Sequence, residues 1–206
     1  MSSRDDILSR IRRNQPAPRP APRVPTFDRE IASPLETFRA SLLRMGGKFV
    51  DAPANGDLTA TIRGLFPDAN VICSAAPEVS GNRRLDQVGA PAELDDVDVG
   101  VVRAVYGVVE TGSVWLTDKE FKVNVLGFLS QHLVVLLDPA SLVPDMHHAY
   151  RRRSDFDAAY GVFMTGPSAT ADIEGVLIHG AQGIRSLTVI PVPAHRGDMA
   201  TEGRMA

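Results

Sequence analysis

Residues 132–137 read His132-Leu133-Val134-Val135-Leu136-Leu137, a continuous apolar run that ends at Asp138-Pro139. A strand with water on one face alternates apolar and polar residues, whereas a strand buried on both faces reads as an unbroken apolar run. Parallel sheets that carry helices on both faces bury their strands in this way. The run therefore predicts a buried strand of a parallel sheet.

Helix and strand signals alternate along the rest of the chain, which favours an α/β fold. The predicted strands are 48–50, 71–73, 99–102, 106–109, 114–116, 160–164 and 187–192. The predicted helices are 3–14, 33–45, 57–66, 144–153 and 170–180. In the helix that follows Ser33-Pro34, the predicted apolar face consists of Leu35, Phe38, Leu42 and Met45. Gly46-Gly47 is expected to end that helix.

Three regions follow from this pattern. Residues 1–27 form an N-terminal helix and a Pro/Arg-rich arm, residues 28–194 the α/β domain, and residues 195–206 a flexible tail. Five prolines between Pro16 and Pro25 exclude a helix in the arm and favour an extended, polyproline-like segment. Such a segment serves either as a tether or, with Arg19 and Arg23, as a docking arm for a partner.

Composition narrows the class of protein. The net charge of -3 gives no general attraction to nucleic acid. The single cysteine, Cys73, excludes an internal disulfide and an iron–sulfur cluster held by this chain alone, and its apolar surroundings predict a buried thiol. No apolar stretch approaches the roughly 18 residues of a membrane span, and the charged start lacks the apolar core of a signal peptide. We expect a cytoplasmic protein.

The first motif that carries chemistry is Val109-Glu110-Thr111-Gly112-Ser113. It lies between two apolar runs, so Thr111-Gly112 is expected to form the turn of a hairpin. A carboxylate at this break is a candidate nucleophile, general base or acceptor for a ligand hydroxyl. The alternative is that Glu110 is a solvated residue at the end of a strand.

The second motif runs from Thr165 to Glu174 and reads TGPSATADIE. Gly166-Pro167-Ser168 is predicted between a strand and a helix, where backbone N–H groups and the helix dipole favour an anion. Ser168 or Thr170 would cap the helix or bind the anion; a plain capped helix is the alternative. Asp172 and Glu174 suit the helix dipole but repel a phosphate. We expect both motifs to line one cleft.

Other polar clusters allow two interpretations each. Lys119 and Lys122 suit an anionic ligand, although Asp118-Lys119-Glu120 is more simply a charged loop. His147-His148 is poorly placed for a metal, because adjacent helical residues point in different directions. His179 is expected at the end of the last helix, either interacting with the helix dipole or acting as an acid or base. Residues 151–153, three arginines, favour a solvated helix end over a docking patch.

Together these motifs resemble the LUD domain of the lactate-utilisation protein C (LutC/YkgG) family. Members typically read Asp-Val-Gly, then Glu-Thr-Gly-Thr or Glu-Thr-Gly-Ser, and later Gly-Pro-Ser-Arg-Thr-Ala-Asp-Ile-Glu and a segment with His-Gly-Pro. The matching residues are Asp98-Val99-Gly100, Glu110 to Ser113, Gly166 to Glu174 and Ile178-His179-Gly180. The departures are Ala169 for the usual Arg, residues 181–183 (AQG) after His-Gly, and residues 103–105 (RAV) for the frequent Gly-Ala-Asp.

The resemblance implies a three-layer α/β/α sandwich similar to the NagB/RpiA/CoA-transferase group. It also implies an accessory role beside two iron–sulfur partner proteins that oxidise L-lactate to pyruvate. The chain itself would then bind a small anion or cofactor at the strand ends; which cofactor is not specified. The ligand-binding residues expected from the two motifs are Thr111, Gly112, Ser113, Gly166, Pro167, Ser168, Thr170, Asp172, Glu174 and His179, with no metal ligand.

Two other functions are compatible with the same residues. A stand-alone CoA-transferase-like enzyme would use Glu110 to attack an acyl-CoA, with residues 166–170 holding a phosphate or carboxylate. A small-ligand binding or regulatory protein would use the same loops without chemistry. A folate cyclo-ligase of the same fold group would require a nucleotide site, and no glycine-rich phosphate loop is present.

Overall fold

A computed structural model describes residues 3–20, 22–23, 25, 30–152, 157–171, 176–180 and 182–194. Its helices are α1 (Ser3–Arg13), α2 (Pro34–Arg44), α3 (Leu58–Leu65), α4 (Asp118–Phe121), α5 (Leu126–Leu129) and α6 (Met146–Arg151). Its strands are β1 (Lys48–Phe49), β2 (Ile72–Ser74), β3 (Val99–Arg103), β4 (Tyr106–Val108), β5 (Ser113–Thr117), β6 (His132–Leu137), β7 (Gly161–Met164), β8 (Ala169–Thr170), β9 (Ile178–His179) and β10 (Ser186–Pro191).

The main sheet has five parallel strands in the order β1-β10-β6-β3-β2. The apolar run at 132–137 is its central strand, with Leu133 opposite Leu187 on one side and Gly100 on the other. Leu133 to Leu137 are all buried, because the strand is covered on both faces. The prediction of a parallel α/β sheet is confirmed.

Helices cover both faces of this sheet. On one face, Leu58 and Ile62 of α3 pack against β2, β3, β6 and β10. On the other face, Phe38 and Leu42 of α2 join side chains from α4, α5 and β5 in the larger core. Burial of each such large side chain contributes about 2 kcal/mol. The predicted sandwich is present, although one outer layer contains strands as well as helices.

Those strands belong to a second, antiparallel sheet in the order β4-β5-β7. Its far face carries the aromatic side chains of Tyr106, Trp115 and Phe163, which pack together and against Ala149 of α6. The guanidinium of Arg152 lies 4.6 Å from the ring centre of Tyr106, so part of the arginine cluster is not simply solvated. Helix α6 begins at Met146 rather than at the predicted Pro144, because the side chain of Asp145 caps it.

The prediction of a helix over 170–180 is wrong in the described residues. Ala169 and Thr170 pair antiparallel with His179 and Ile178, as β8 and β9. The preceding strand, β7, pairs antiparallel with β5 and lies outside the parallel sheet. Apolar residues at 173, 176 and 177 match helical spacing, yet residues 169–170 and 178–179 pair as strands. Residues 172–175 lie outside the described residues.

One apolar residue lies elsewhere than predicted. Met45 was predicted on the apolar face of its helix, but it is 50% exposed because it follows the last helical residue of α2. In α1, no described residue is buried. No helix among the described residues is long and apolar enough to cross a membrane. The predicted tail, residues 195–206, lies outside the described residues.

Candidate functional site

Glu110 lies in the tight turn between β4 and β5, as the first motif predicted. Its backbone N–H donates to the carbonyl of Pro144 at 3.0 Å. Its side chain is exposed, and Oε2 accepts a hydrogen bond from the backbone N–H of Met146 at 3.3 Å. The carboxylate is therefore fixed against the start of α6 at one oxygen, while the residue stays accessible to a ligand.

A cavity of about 490 Å³ adjoins this carboxylate, and we call it the Glu110 cavity. It is lined by Ile31, Thr37, Val109, Glu110, Pro144, Asp145 and His147. Mostly apolar walls with a few converging polar groups are typical of small-molecule sites, and the volume falls in their usual range. Its polar lining includes two carboxylates and an imidazole, which suits a ligand that donates hydrogen bonds.

Asp145 connects this cavity to α6. Asp145 Oδ1 accepts a hydrogen bond from the backbone N–H of His148 at 2.9 Å. It also lies 2.8 Å from the ring nitrogen Nδ1 of His148. Desolvation opposes ionisation of Asp145, but these hydrogen bonds outweigh it and lower the pKa of the carboxyl group. Across the described residues, no group of three or more His, Cys, Asp or Glu side chains is placed to hold a metal ion.

The other residues of the first motif shape the turn. Gly112 has φ +66, and a Cβ there would collide with the backbone N of Leu42 in α2. Thr111 Oγ1 accepts a hydrogen bond from the backbone N–H of Ser113 at 3.3 Å, and Ser113 is buried in β5. The geometry gives Thr111 and Gly112 a role in packing the hairpin onto α2.

The second motif packs against the same helix. Gly166 has φ +63, and a Cβ there would collide with the carbonyl oxygen of Met45. The N–H of Ser168 donates to Ile184 at 2.9 Å, and its carbonyl accepts from Gly180 at 2.6 Å. Thr170 lies in β8 and Ser168 directly precedes it, so neither caps a helix among the described residues.

The two motifs, which were predicted to line one cleft, line two different cavities. Gly166, Pro167 and Ser168 line a separate cavity of about 300 Å³, which we call the Gly166 cavity. Phe128 and Ile184 line it as well. In the part of the chain that the structure describes, no charged side chain lines it. An anion site at this loop therefore stays a prediction. His179 is exposed in β9, not at a helix end, so the predicted dipole interaction is wrong; Asp172 and Glu174 lie outside the described residues.

The structure differs from the prediction around Lys119, and it gives Arg103 contacts that were not predicted. The segment predicted as a charged loop around Lys119 is the one-turn helix α4, with Thr117 as its cap. Arg103 ends β3, and its Nε donates to Glu78 Oε1 at 2.6 Å while Nη1 donates to the Val192 carbonyl at 3.0 Å. The available signal for Arg103 was its place as the polar residue that ends an apolar strand.

The chain is similar to a known protein family, to a named protein and to a solved structure. The model of the LUD domain family matches residues 84–192. "Lactate utilization protein C" of Geobacillus sp. (strain WCH70) is 26% identical over 141 residues, which cover 66% of this chain and 56% of that protein. The match thus spans little more than half of that relative. A crystal structure of a DUF162 family protein from Deinococcus radiodurans has a TM-score of 0.60 at 18% identity, covering 78% of this chain and 97% of that one, so the folds are alike.

Proposed function

Because this chain belongs to the LUD domain family, we propose that it acts in lactate utilisation, as an accessory subunit of an iron–sulfur-containing complex that oxidises L-lactate to pyruvate. The observation that carries the proposal is the family match over 84–192, together with the relative named lactate utilization protein C. The match to that relative is partial, so the complex and its partners belong to the proposal.

The chemistry of the reaction supports a division of labour. Oxidation of L-lactate to pyruvate releases two electrons and two protons, and iron–sulfur clusters that accept electrons are held mainly by several cysteine thiolates. This chain has one cysteine, Cys73, which is fully buried. Desolvation raises the pKa of its thiol to about 11, which disfavours the thiolate that a metal requires. The electron carriers would therefore lie on partner proteins.

The role left to this chain is to bind a ligand or a partner. The Glu110 cavity offers a carboxylate that can accept a hydrogen bond from a hydroxyl group of a substrate or cofactor. Glu110 and Asp145 together disfavour an anionic group placed directly against them. We propose that this cavity binds the hydroxyl-bearing part of a ligand rather than its charged end.

The N-terminal arm is proposed as the docking element. Ile7 and Ile11 of α1 are 55% and 54% exposed, and Arg10, Arg12 and Arg13 follow along the same helix. An amphipathic helix with no buried residue gains stability when its apolar stripe meets another surface. Such a helix on a proline-rich connection suits capture of a partner.

Affinity purification tests the proposal. The tagged full chain and a chain that begins at Glu30 are isolated from native extract, and iron and acid-labile sulfide are measured in each eluate. The proposal expects iron and sulfide in near-stoichiometric ratio with the full chain, and their loss with the shortened chain. Iron-free eluate from the full chain would contradict the complex, whereas equal iron with both chains would contradict only the docking role of the arm.

A CoA-transferase-like enzyme remains the second candidate, favoured by the accessible Glu110 carboxylate beside a cavity. Attack on an acyl-CoA would form an acyl-glutamyl anhydride and release the CoA thiolate. Glu110→Gln removes the nucleophile with little change in volume, and Glu110→Asp withdraws it by one methylene. Acyl-CoA turnover by the wild type that both variants lose would establish this function; absence of turnover in the wild type would remove it.

A further inference from the structure

Two cavities lie at the carboxyl end of the parallel sheet, apart from both motif cavities. Their volumes are about 500 Å³ and about 310 Å³. Each cavity is lined by residues from the end of β2 or the segment after it, and by residues of α4 or just after it, although the two cavities have no lining residue in common. Lys119 lines the smaller cavity and Lys122 the larger, and we call the pair the lysine cleft.

The place of the lysine cleft in the fold favours a ligand site. Ser74, the last residue of β2, lines the larger cavity, and Arg103, the last residue of β3, lines the smaller. These strands are parallel neighbours. In open α/β sheets, ligands bind in crevices outside the carboxyl ends of the strands. Of all the cavities described above, this pair has that position at two adjacent parallel strands.

Three arginines line the lysine cleft together with the two lysines. Each arginine has its own carboxylate: Arg83 contacts Asp96, Arg84 Nη2 lies 2.5 Å from Asp86, and Arg103 contacts Glu78.

The lysines differ from these arginines. Within the described ranges, no ion pair involves the ammonium of Lys119 or of Lys122. Asp86, the carboxylate that lines the larger cavity with Lys122, already binds Arg84. The chain has three lysines in total, and two of them lie here. Two ammonium groups are thus available to an oxyanion, for which lysine is a compact point charge.

The backbone at Lys122 gives a separate indication. Its φ of 59 and ψ of -43, with the Val123 N–H donating to the Phe121 carbonyl at 2.6 Å, define a γ-turn of the rare, strained hand. Among the described residues it is the one non-glycine position with positive φ. Glycine adopts this conformation without steric cost, so a lysine here is unfavourable for folding. Residues held in strained conformations cluster at ligand clamps.

From these observations we propose that the lysine cleft binds an oxyanion, the carboxylate or phosphate of a small ligand, through the ammonium groups of Lys119 and Lys122. The site is distinct from the Glu110 cavity. The site's own two carboxylates are already engaged, because Asp86 binds Arg84 and Glu120 accepts hydrogen bonds from the backbone N–H and the hydroxyl of Thr117. The site does not depend on lactate oxidation or on any partner protein. Each cavity has the volume of a small-molecule site, which is enough for a small organic acid or a phosphorylated ligand.

Calorimetric titration of the full chain with inorganic pyrophosphate tests the site. The informative variant is Lys122→Gly, which suits the positive φ and removes the ammonium; Lys119→Ala removes the second charge. Lys48→Ala is the matched control, because Lys48 lies in β1 at the opposite edge of the sheet. We expect saturable binding to one site, weakened about tenfold by Lys122→Gly and by Lys119→Ala, and changed less than about twofold by Lys48→Ala.

Thermal unfolding separates binding from folding. Lys122→Gly is expected to unfold at a temperature no lower than the wild type, so lost binding cannot follow from lost structure. Absence of saturable binding to the wild type, full affinity in Lys122→Gly, or equal weakening by Lys48→Ala would each overturn the proposal. Displacement of pyrophosphate by L-lactate would assign the site to carboxylates, and retention of pyrophosphate would assign it to phosphates.

Discussion

The side chain of Thr165 donates a hydrogen bond from Oγ1 to the carbonyl of Gly112 at 3.0 Å, which joins the two sequence motifs. The glycines of both motifs also press against the end of α2, Gly112 at Leu42 and Gly166 at Met45. The motifs are therefore neighbours through packing, although Glu110 and Gly166 line different cavities. This arrangement assigns the two glycines to the scaffold that holds Glu110 in place.

Substitution of either motif glycine is expected to destabilise the fold. In Gly112→Ala and Gly166→Ala, a Cβ meets backbone atoms of α2 and its last turn, and each position has positive φ. We expect a loss of about 3 kcal/mol in the free energy of unfolding for each variant. Gly56→Ala is the control, since φ is +73 there and no atom lies within 4 Å; it should lose about 1 kcal/mol. Equal losses at all three positions in denaturant titrations would contradict the packing argument.

The Arg103–Glu78 pair is expected to stabilise the carboxyl end of the sheet. Both side chains are 22% exposed, and Arg103 also donates to the Val192 carbonyl that follows β10. Arg103→Ala leaves a largely buried carboxylate without its partner and should cost about 2 kcal/mol. Arg103→Met combined with Glu78→Leu should recover most of that loss. A double variant less stable than Arg103→Ala in urea unfolding would contradict this account.

His132 is expected to make stability depend on pH. Desolvation of its ring beside Phe66, followed by the positive charges of Lys48 and Arg185, lowers the pKa of His132 from 6.5. The unfolded state then binds a proton more readily than the folded state, so this contribution is fully present above pH 6.5 and is lost as the pH falls through the lower folded-state pKa.

Urea titrations between about pH 7.5 and pH 5 measure this dependence. His132→Gln should remove the His132 component of the slope, while His147→Gln, a change in the Glu110 cavity, should leave that component in place. If His132→Gln retained the full wild-type slope, the assignment to His132 would be wrong.

Cys73 is expected to be unreactive in the folded protein. Burial raises the pKa of its thiol to about 11 and leaves no solvent path to the sulfur, since Cys73 is 0% exposed. A disulfide reagent at about pH 8 should therefore modify the thiol only when the protein unfolds. Labelling of the native protein as fast as of the urea-denatured protein would show that β2 opens readily.

The sequence was most informative where burial dictates residue type. The central strand could be predicted because residues 132–137 are apolar throughout, and the hairpin because Gly112 must adopt positive φ between two apolar runs. The pair β8–β9 could not, since the apolar spacing at 173, 176 and 177 fits a helix, whereas the strand pairing joins residues about ten positions apart in the chain. Local pattern alone cannot distinguish those two outcomes.

The candidate site was predictable only in part. Glu110 was identified because it is a carboxylate at the break between an apolar run and Thr111-Gly112, and the structure places it beside a cavity. Ile31 and Thr37, which complete that cavity, come from a segment far earlier in the chain. Their contribution depends on how α2 packs against the β4–β5 hairpin, and no periodicity in the sequence reports such a long-range contact.

The most direct test of the proposed function is the rate of dye reduction that depends on L-lactate in material co-purified with the tagged chain. The account predicts reduction that requires L-lactate, yields pyruvate and is absent when the chain that begins at Glu30 is used as bait. An eluate that contains the intact chain with its binding proteins but reduces no dye with L-lactate would contradict a role in lactate oxidation.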